Sequence, residues 1–122
     1  MANPQATRSV VETYFTAWST RDVERAYACL APDLEFVGPS ARCATAEQFR
    51  PGLVAFAKLT KSARIAELFV DGDRAAMLYD CEFVTGGTTR IASFFRVEAD
   101  KIRWYETVFD ATEFRKAVAS AL

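Results

Sequence analysis

The sequence predicts an α+β fold in which helices cover one face of a curved antiparallel sheet. Apolar residues in the first half of the chain recur every three or four positions, which is typical of amphipathic helices. Residues 63–109 alternate between apolar and polar and are divided by turn-forming pairs, which is typical of consecutive strands. Because helices and strands are segregated along the chain, we expect one short strand plus a four-strand meander, three covering helices and a short C-terminal helix.

The first two helices follow from apolar spacing and from breaks in it. The first covers residues 6–19, and the pair Ser19-Thr20 ends its pattern. The second begins near Arg21-Asp22 and ends at Pro32, because proline lacks the backbone N–H that a helix interior requires. Their inner stripes consist of Val10, Val11, Tyr14, Phe15 and Trp18 in the first helix, and of Val23, Ala26, Tyr27 and Leu30 in the second.

A short strand and a third helix come next. The strand covers Leu34–Val37, and residues 40–44 form a loop. Thr45 and the glutamine three residues later have the spacing of a capping box, which favours a helix from there to about Leu59. Pro51 allows a second interpretation, in which the regular part of the helix begins at that proline. The sequence leaves both starts open.

Four strands and a closing helix complete the chain. Asp-Gly, Gly-Gly and Ala-Asp pairs supply the turns between the strands, because these residues suit tight turns. Asp110 is a good N-cap for the closing helix, and Glu113 occupies the capping-box position. The predicted strands are residues 63–70, 74–84, 89–97 and 102–109.

Composition excludes several classes of protein. The length predicts a single domain over residues 1–122. The net charge is −1 with both signs mixed along the chain, so we expect no nucleic-acid partner. No apolar run is long enough to span a membrane, and Met1–Pro4 lacks the cationic start of a signal peptide. We therefore expect no membrane partner and a cytoplasmic location.

The residues available for chemistry are limited. The chain has no histidine, which excludes Ser-His and Cys-His nucleophile pairs and histidine-based metal sites. The three cysteines, Cys29, Cys43 and Cys81, are odd in number and have no paired spacing, which argues against a disulfide framework. We expect no metal and no cofactor, and any acid or base would be a carboxylate, Tyr, Lys or Cys.

Two stretches of the chain carry motifs similar to those of a known superfamily. The first contains Val10-Val11-x-x-Tyr14 followed by Asp22 and Asp33. The chain resembles the SnoaL-like, or nuclear transport factor 2-like, superfamily, which includes ketosteroid isomerases, limonene epoxide hydrolases and polyketide cyclases. This resemblance implies a cone-shaped sheet enclosing a pocket. The motifs of the second stretch are Lys101-Ile102, Trp104-Tyr105, Phe109-Asp110, Glu113-Phe114 and Ala117-Val118.

The resemblance transfers few catalytic residues. The isomerase tyrosine that hydrogen-bonds a steroid oxygen falls on Tyr14, the general-base aspartate falls on Gly38, and the protonated acid falls on or beside Ser93. Since glycine cannot accept a proton, steroid isomerase chemistry is not expected. The Asp-Arg-Asp cluster of the epoxide hydrolases falls near uncharged residues, namely Cys81, Tyr79 and Thr107.

Side-chain alternation along the strands predicts the lining of a pocket. A three-residue loop at Gly86-Gly87-Thr88 would set Cys81 opposite Ser93 on the face that meets the helices. An aromatic lining with a few small polar groups suits a mostly apolar ligand that carries one or two oxygens. The predicted ligand-binding residues are Tyr14, Trp18, Phe56, Tyr79, Cys81, Ser93, Tyr105, Thr107 and Phe109, with Tyr14 as a hydrogen-bond donor.

The opposite face of the sheet predicts a partner. Its centre is apolar, and acids on one strand lie beside arginines on the next. A self-complementary dimer surface needs this combination of an apolar centre and a charged rim. We therefore expect a homodimer through the sheet, with a dimer face containing Leu78, Phe94, Arg96, Trp104 and Val108.

The register of the last strand has two possible outcomes. A one-residue slip would swap its faces and turn Glu106 into the pocket, where loss of solvent would raise its pKa and make it a candidate catalytic base. Tyr14 would then be the matching acid, with Glu35 as another candidate base. A bulge near Arg103 would instead restore the first register and leave Glu106 on the outer face.

Three functions remain compatible with these features. The first is a small-molecule-binding protein with a pocket for a hydrophobic, oxygen-bearing ligand. The second is an isomerase, cyclase or hydrolase acting on a steroid-, terpenoid- or polyketide-like substrate. The third is a dimeric structural or interaction module with a filled core, because a packed interior would show the same apolar inner face. A cavity, and any carboxylate in it, distinguishes the three.

Overall fold

The computed structural model describes residues 3–121. None of its helices within that range is long and apolar enough to cross a membrane. The helices are α1 (Pro4–Ser19), α2 (Val23–Ala28), α3 (Ala46–Leu59) and α4 (Thr112–Ser120). The strands are β1 (Leu30–Val37), β2 (Arg42–Cys43), β3 (Thr60–Asp71), β4 (Arg74–Phe83), β5 (Thr88–Glu98) and β6 (Lys101–Val108).

One curved, open sheet of six strands forms the body of the fold, with the strand order β2-β1-β6-β5-β4-β3. Strands β3 to β6 form the predicted antiparallel meander. Strand β1 pairs with the edge of β6 in a parallel arrangement, and β2 pairs with β1 in an antiparallel one. The α+β fold with helices packed on the sheet is confirmed, but the sheet is mixed rather than wholly antiparallel.

The segment around Leu30 differs from its predicted structure. Helix α2 ends at Ala28, and Leu30 begins β1 opposite Ile102 instead of lying on the inner face of a helix. Pro32 lies inside β1, where the register with β6 shifts between Leu30 and Glu35. A strand tolerates proline at such an irregularity because no ladder hydrogen bond is needed there. The predicted loop at residues 40–44 also contains the short strand β2.

Helix α3 begins at the first of the two predicted starts, directly after Thr45. Thr45 is the N-cap and its side chain accepts a hydrogen bond from the Gln48 N–H, as the capping-box spacing predicts. The helix then continues through Pro51 to Leu59. The interpretation that begins the regular helix at Pro51 is wrong, because the cap and the burial of Phe49 already stabilise the preceding turn.

The β4–β5 hairpin keeps the predicted faces but not the predicted register. Cys81 pairs with Thr89, and Ser93 pairs with Met77. The loop is Val84-Thr85-Gly86, centred two residues earlier than the predicted Gly86-Gly87-Thr88: the Phe83 N–H bonds to the Gly87 carbonyl, and Gly86 has φ 95°. A three-residue hairpin loop favours glycine at its last position, where φ is positive. The shift is an even number of residues, so no side chain changes face.

A bulge in β6 fixes the direction of its side chains. Trp104 pairs with Arg96 and Ile102 pairs with Val97, which leaves Arg103 as an extra residue. The bulge near Arg103 is therefore confirmed. It restores the register in which Tyr105 is buried, and the neighbouring Glu106 pairs with Phe94 on the outer face.

The start of helix α4 is displaced from the predicted cap. The helix begins at Thr112, and Ala111 occupies the cap position without a side-chain hydrogen bond. Asp110 lies one residue earlier, where its Oδ1 accepts hydrogen bonds from the Thr112 N–H at 3.0 Å and from the Thr112 hydroxyl at 2.6 Å. These bonds lower the pKa of the Asp110 carboxyl. Glu113 lies against Gly87 of the hairpin rather than closing a capping box.

Candidate functional site

A cavity of about 180 Å³ lies between the inner face of the sheet and helices α1 and α3. Trp18 of α1 and Phe56 of α3 form part of its wall, and Tyr79, Tyr105 and Thr107 line it from the strands. The loop at residues 38–41 and Phe114 of α4 border it as well. The interior of the fold is therefore not completely filled.

The walls of the cavity are mostly aromatic and pack edge to face. Trp18 and Phe56 have ring centroids 5.3 Å apart at 75°, and Phe36 and Tyr105 have centroids 5.1 Å apart at 68°. Phe114 packs against Phe56, with 5.2 Å between the ring centroids. Such edge-to-face contacts restrict the orientation of the large rings, so the cavity has a defined shape.

A cluster of hydroxyl groups lies at the strand side of the cavity. The Ser93 and Thr107 hydroxyl oxygens are 3.2 Å apart, and the Ser93 hydroxyl donates to the Tyr79 hydroxyl at 3.5 Å. Ser93 is fully buried, and Thr107 is 8% exposed. Buried hydroxyls need partners, and this cluster satisfies its members while leaving Tyr79 and Thr107 at the cavity wall.

Two tyrosines in this region stay neutral well into the alkaline range. Burial raises the pKa of Tyr14 well above its usual value, and the nearby Tyr105 hydroxyl raises it further. Burial likewise raises the pKa of Tyr79, with Tyr105 as the next contributor, while the hydrogen bond from Ser93 opposes this shift. At neutral pH these groups act as hydrogen-bond donors and acceptors, not as bases.

The part of the cavity wall that the structure describes contains no Asp, Glu, Lys or Arg side chain. Glu106 lies on the outer face of β6, and Glu35 of β1 is exposed and close to Arg103, with 3.8 Å between Glu35 Oε1 and Arg103 Nη1. Residues 3–121 also contain no group of three or more His, Cys, Asp or Glu side chains that could hold a metal ion. The cavity can therefore bind through apolar contact and hydrogen bonds, but these residues supply it with no carboxylate base.

Gly38, the position on which the resemblance to the isomerases places a general-base aspartate, lies at the cavity wall. A Cβ added at Gly38 would lie 2.8 Å from Cζ of Phe36, closer than side-chain carbons pack. The Phe36 ring thus occupies the space next to the backbone where an aspartate side chain would begin. The Phe36 ring therefore packs directly against the Gly38 backbone at this part of the cavity wall.

The predicted ligand-binding residues fall into two groups. Trp18, Phe56, Tyr79, Tyr105, Thr107 and Phe109 line the cavity. Tyr14, Ser93 and Cys81 do not line it: Tyr14 packs behind Tyr105, with ring centroids 5.5 Å apart, and Cys81 contacts the Thr60 hydroxyl at 3.5 Å. Burial raises the pKa of the Cys81 thiol, so it stays protonated at neutral pH.

Sequence reasoning missed several wall residues on β1 and α3. Phe36 belongs to the short strand, where alternation with Leu34 already places it inward. Phe49 and Leu53 precede Phe56 at helical spacing, which is the signal of a common inner face. Phe114 gave no such signal, because a lone aromatic residue in a short helix fits a core position equally well.

The outer face of the sheet carries a second apolar area, which we call the outer patch: Phe69, Leu78, Phe94, Trp104 and Val108. Phe69, Phe94 and Val108 are 65%, 41% and 54% exposed. Phe69, which sequence analysis did not include, joins the row Phe69–Ala76–Phe94–Glu106 across four strands. Ion pairs flank the patch, among them Arg90–Asp80 at 2.8 Å.

Comparison with solved structures places this fold among known proteins. A crystal structure of a Kribbella flavida protein is 25% identical, has a TM-score of 0.84 and is matched over 93% of both chains. A candidate ketosteroid isomerase from the same organism is 18% identical, with a TM-score of 0.80 over 90% of this chain and 82% of that one. An LEH-like epoxide hydrolase from M. tuberculosis is 16% identical, with a TM-score of 0.77 over 96% of this chain and 92% of that one.

The last two likenesses establish a shared fold and nothing further, because one fold hosts many activities. No curated protein sequence matches the chain at a significant level. A sequence model of the SnoaL-like domain does match, over residues 11–105, which is most of the chain and spans the elements from α1 to β6. The chain therefore belongs to the SnoaL-like domain family.

Proposed function

We propose that this protein binds a small, neutral, mostly apolar molecule that carries at least one oxygen atom. The observation that supports this function is an aromatic cavity with buried hydroxyl groups on one side and no charged side chain in its described wall. Apolar contact would provide most of the affinity, and the hydroxyls would fix the orientation of the ligand oxygen. A charged ligand would lose its hydration without gaining a counter-charge.

The volume of the cavity limits the size of the ligand that it can hold. A cavity of roughly 150 Å³ is enough to hold benzene in a protein interior. The cavity of about 180 Å³ therefore suits a single ring with a short substituent, such as an aromatic ketone, a phenol or a monocyclic terpenoid. A four-ring steroid would need the walls to move.

Binding is favoured over catalysis by the chemistry of the wall. An isomerase, cyclase or hydrolase reaction would need a general base within reach of the substrate. Glu106 and Glu35, the carboxylates considered for this role, are both outside the cavity. The third function, an interaction module with a filled core, is disfavoured by the cavity itself.

The three cysteines are free thiols, which supports a reducing location such as the cytoplasm.

The test is thermal stability against a panel of single-ring ketones, phenols and terpenoids, with steroids as oversized controls. A ligand at a hundred times its dissociation constant adds about 2.7 kcal/mol to the free energy of unfolding. We expect a single-ring compound to give such an increase and the steroids to give none. If no compound raises the unfolding temperature, the binding function is wrong.

Gly52 provides a matched pair of variants for this test. It lies in α3 at the cavity wall, and a Cβ added there meets no heavy atom within 4 Å. Gly52→Phe adds a large ring at the cavity wall and should weaken the ligand effect, whereas Gly52→Ala should keep it. Both replace a helical glycine, so neither should weaken the fold. Equal ligand effects in the two variants would place the binding site elsewhere.

We also propose that two copies of the protein associate through the outer patch. Burying Phe69, Phe94 and Val108 against a partner would remove their exposed apolar surface from water. The rim contains both charge signs, with Asp80 beside Arg90 and Glu82 near Lys61. A two-fold rotation can pair such a rim with itself, so a second copy of this chain is a suitable occupant.

Replacing Trp104 tests this association. Trp104→Arg puts an unpaired charge in the centre of the contact and should give monomers in sedimentation velocity. Val118→Arg is the control, because Val118 is also an exposed apolar residue (36%) but lies on α4, away from the patch. The association is contradicted if the wild-type protein is monomeric at micromolar concentration, or if the Trp104 variant remains a dimer.

A further inference from the structure

Trp18 gives the cavity wall a polar group that can only donate a hydrogen bond, the indole N–H. The residue lies in α1 and is 3% exposed. Its ring packs against Phe15, Phe56 and Tyr79, with ring centroids 5.2, 5.3 and 5.7 Å away. These three aromatic contacts restrict the orientation of the indole, so the fold sets the direction of its N–H.

The indole N–H of Trp18 has no hydrogen-bond partner among residues 3–121. The same residues contain no side-chain nitrogen or oxygen atom that is both fully buried and unpaired. The indole nitrogen must therefore border open space. Because Trp18 is almost completely enclosed by protein and lines the cavity, that space is the cavity.

The hydroxyl groups of the wall differ from this N–H. Those of Tyr79 and Thr107 already share hydrogen bonds with Ser93. The Tyr105 hydroxyl can donate or accept, so it suits a ligand hydroxyl and a ligand carbonyl alike. The Trp18 N–H is unpaired and cannot accept, so it favours a ligand that brings an acceptor.

A buried N–H that has lost its hydrogen bond to water is costly until another acceptor replaces the water. A ligand that places an oxygen beside Trp18 supplies this acceptor. A ligand of the same shape without the oxygen fills the same space and leaves the N–H unpaired, so it binds less tightly. The N–H of Trp18 can therefore select between ligands that make equal apolar contacts.

We propose that the Trp18 indole N–H donates a hydrogen bond to the ligand oxygen and determines which ligands the cavity accepts. This inference rests on the proposed binding function and specifies its ligand. The oxygen must present a lone pair to α1, as the oxygen of a neutral single-ring ketone, ester or ether can do. A group that offers Trp18 only a proton or a methyl group is selected against.

The experiment compares acetophenone with α-methylstyrene, which has the same shape but a methylene group in place of the carbonyl oxygen. Dissociation constants are measured for the wild-type protein, for Tyr105→Phe and Tyr79→Phe, and for protein in which Trp18 is replaced by benzothienylalanine. This analogue keeps the shape of the indole but has sulfur in place of the N–H.

One net hydrogen bond is worth about tenfold in affinity, so the wild-type protein should favour the ketone about tenfold. The benzothienylalanine protein should favour it about twofold or less, and each tyrosine variant should keep a preference of about fivefold or more. The proposal is overturned if the benzothienylalanine protein keeps the full preference, or if a tyrosine variant loses it.

The proton resonance of the Trp18 indole N–H supplies a readout that needs no change at Trp18. The chain has two tryptophans, so Trp104→Phe leaves Trp18 as the source of the remaining indole signal. Acetophenone should move this signal downfield, and α-methylstyrene, whose ring has the same shape, should not. Equal shifts, or equal affinities of the wild-type protein for both compounds, would overturn the role of Trp18 and preserve the binding function. If neither compound binds, both proposals are wrong.

Discussion

The two faces of one sheet have opposite characters although the same strands build them. On the inner face, Phe95 is 2% exposed and stacks on Tyr105 beside an uncharged cavity. On the outer face its neighbour Phe94 is 41% exposed and pairs across the strands with Glu106. Both faces are rich in aromatic residues, but only the outer one has charges around its edge. Adjacent residues therefore serve two different surfaces.

This comparison shows that aromatic content alone does not assign a surface. Inside, aromatic rings are accompanied by hydroxyls that bond to one another, so the polar groups are satisfied without charge. Outside, they are accompanied by ion pairs such as Arg90–Asp80, which water can solvate. Satisfied hydroxyls suit a small neutral ligand, and a charged rim suits a protein partner.

The largest expected effect comes from truncating the adjacent phenylalanines separately. Phe95→Ala should lower the free energy of unfolding by about 3–5 kcal/mol, because it leaves a hole in a packed interior. Phe94→Ala should leave the fold of each protomer intact and weaken association instead. Urea denaturation at several protein concentrations separates the two effects, since only association depends on concentration. Equal, concentration-independent losses for both variants would contradict the division into two faces.

Alkaline pH should destabilise the inner face through its tyrosines. The folded pKa values of Tyr14 and Tyr79 lie well above 10.0, so their neutral forms are favoured by folding. Below pH 10 the contribution of these neutral tyrosines to the free energy of unfolding is fully present. Above pH 10 the unfolded chain loses protons that the folded protein retains, so the free energy of unfolding falls. Each tyrosine should contribute a decrease of about 1.4 kcal/mol per pH unit. Denaturation of the wild-type protein and of Tyr14→Phe between pH 8 and 11 should show this difference in slope; parallel curves would argue against it.

A smaller loss is expected from Ser93→Ala, which removes the hydroxyl between Tyr79 and Thr107. Leaving these partners unsatisfied should cost about 1–3 kcal/mol. Ser62→Ala in β3 is the matched control, because Ser62 is exposed, water can satisfy its hydroxyl, and its loss should have little effect. Chemical denaturation of the two variants tests this, and a Ser93 variant as stable as the wild type would show that the hydroxyl cluster adds no stability.

The smallest expected effect is that of Asp80→Asn. The hydrogen bond from Arg90 lowers the pKa of Asp80, but the pair is exposed and water screens it. Protomer stability should not change measurably. The salt dependence of association should weaken, because a rim charge acts mainly on encounter and specificity. Sedimentation at low and high salt checks this, and a large loss of protomer stability would mean that the rim is part of the fold.

The sequence alone determined which side chains of β4 and β5 face inward. Alternation placed Tyr79 and Ser93 on one face, and both are buried there. The signal is local and strong, because a strand has a period of two and one of its faces must avoid water. The predicted register of the β4–β5 hairpin was wrong, but the predicted faces were still correct, because the error shifted the paired residues by an even number.

Only the tertiary structure decided the arrangement that depends on distant segments. The parallel pairing of β1 with β6 and the packing of Tyr14 behind Tyr105, outside the cavity wall, both join residues far apart in the chain. Local patterns carry no information on such pairings, nor on whether packed aromatic rings leave a space between them. That space is a small difference between two large volumes, and it exists only once every wall residue is in place.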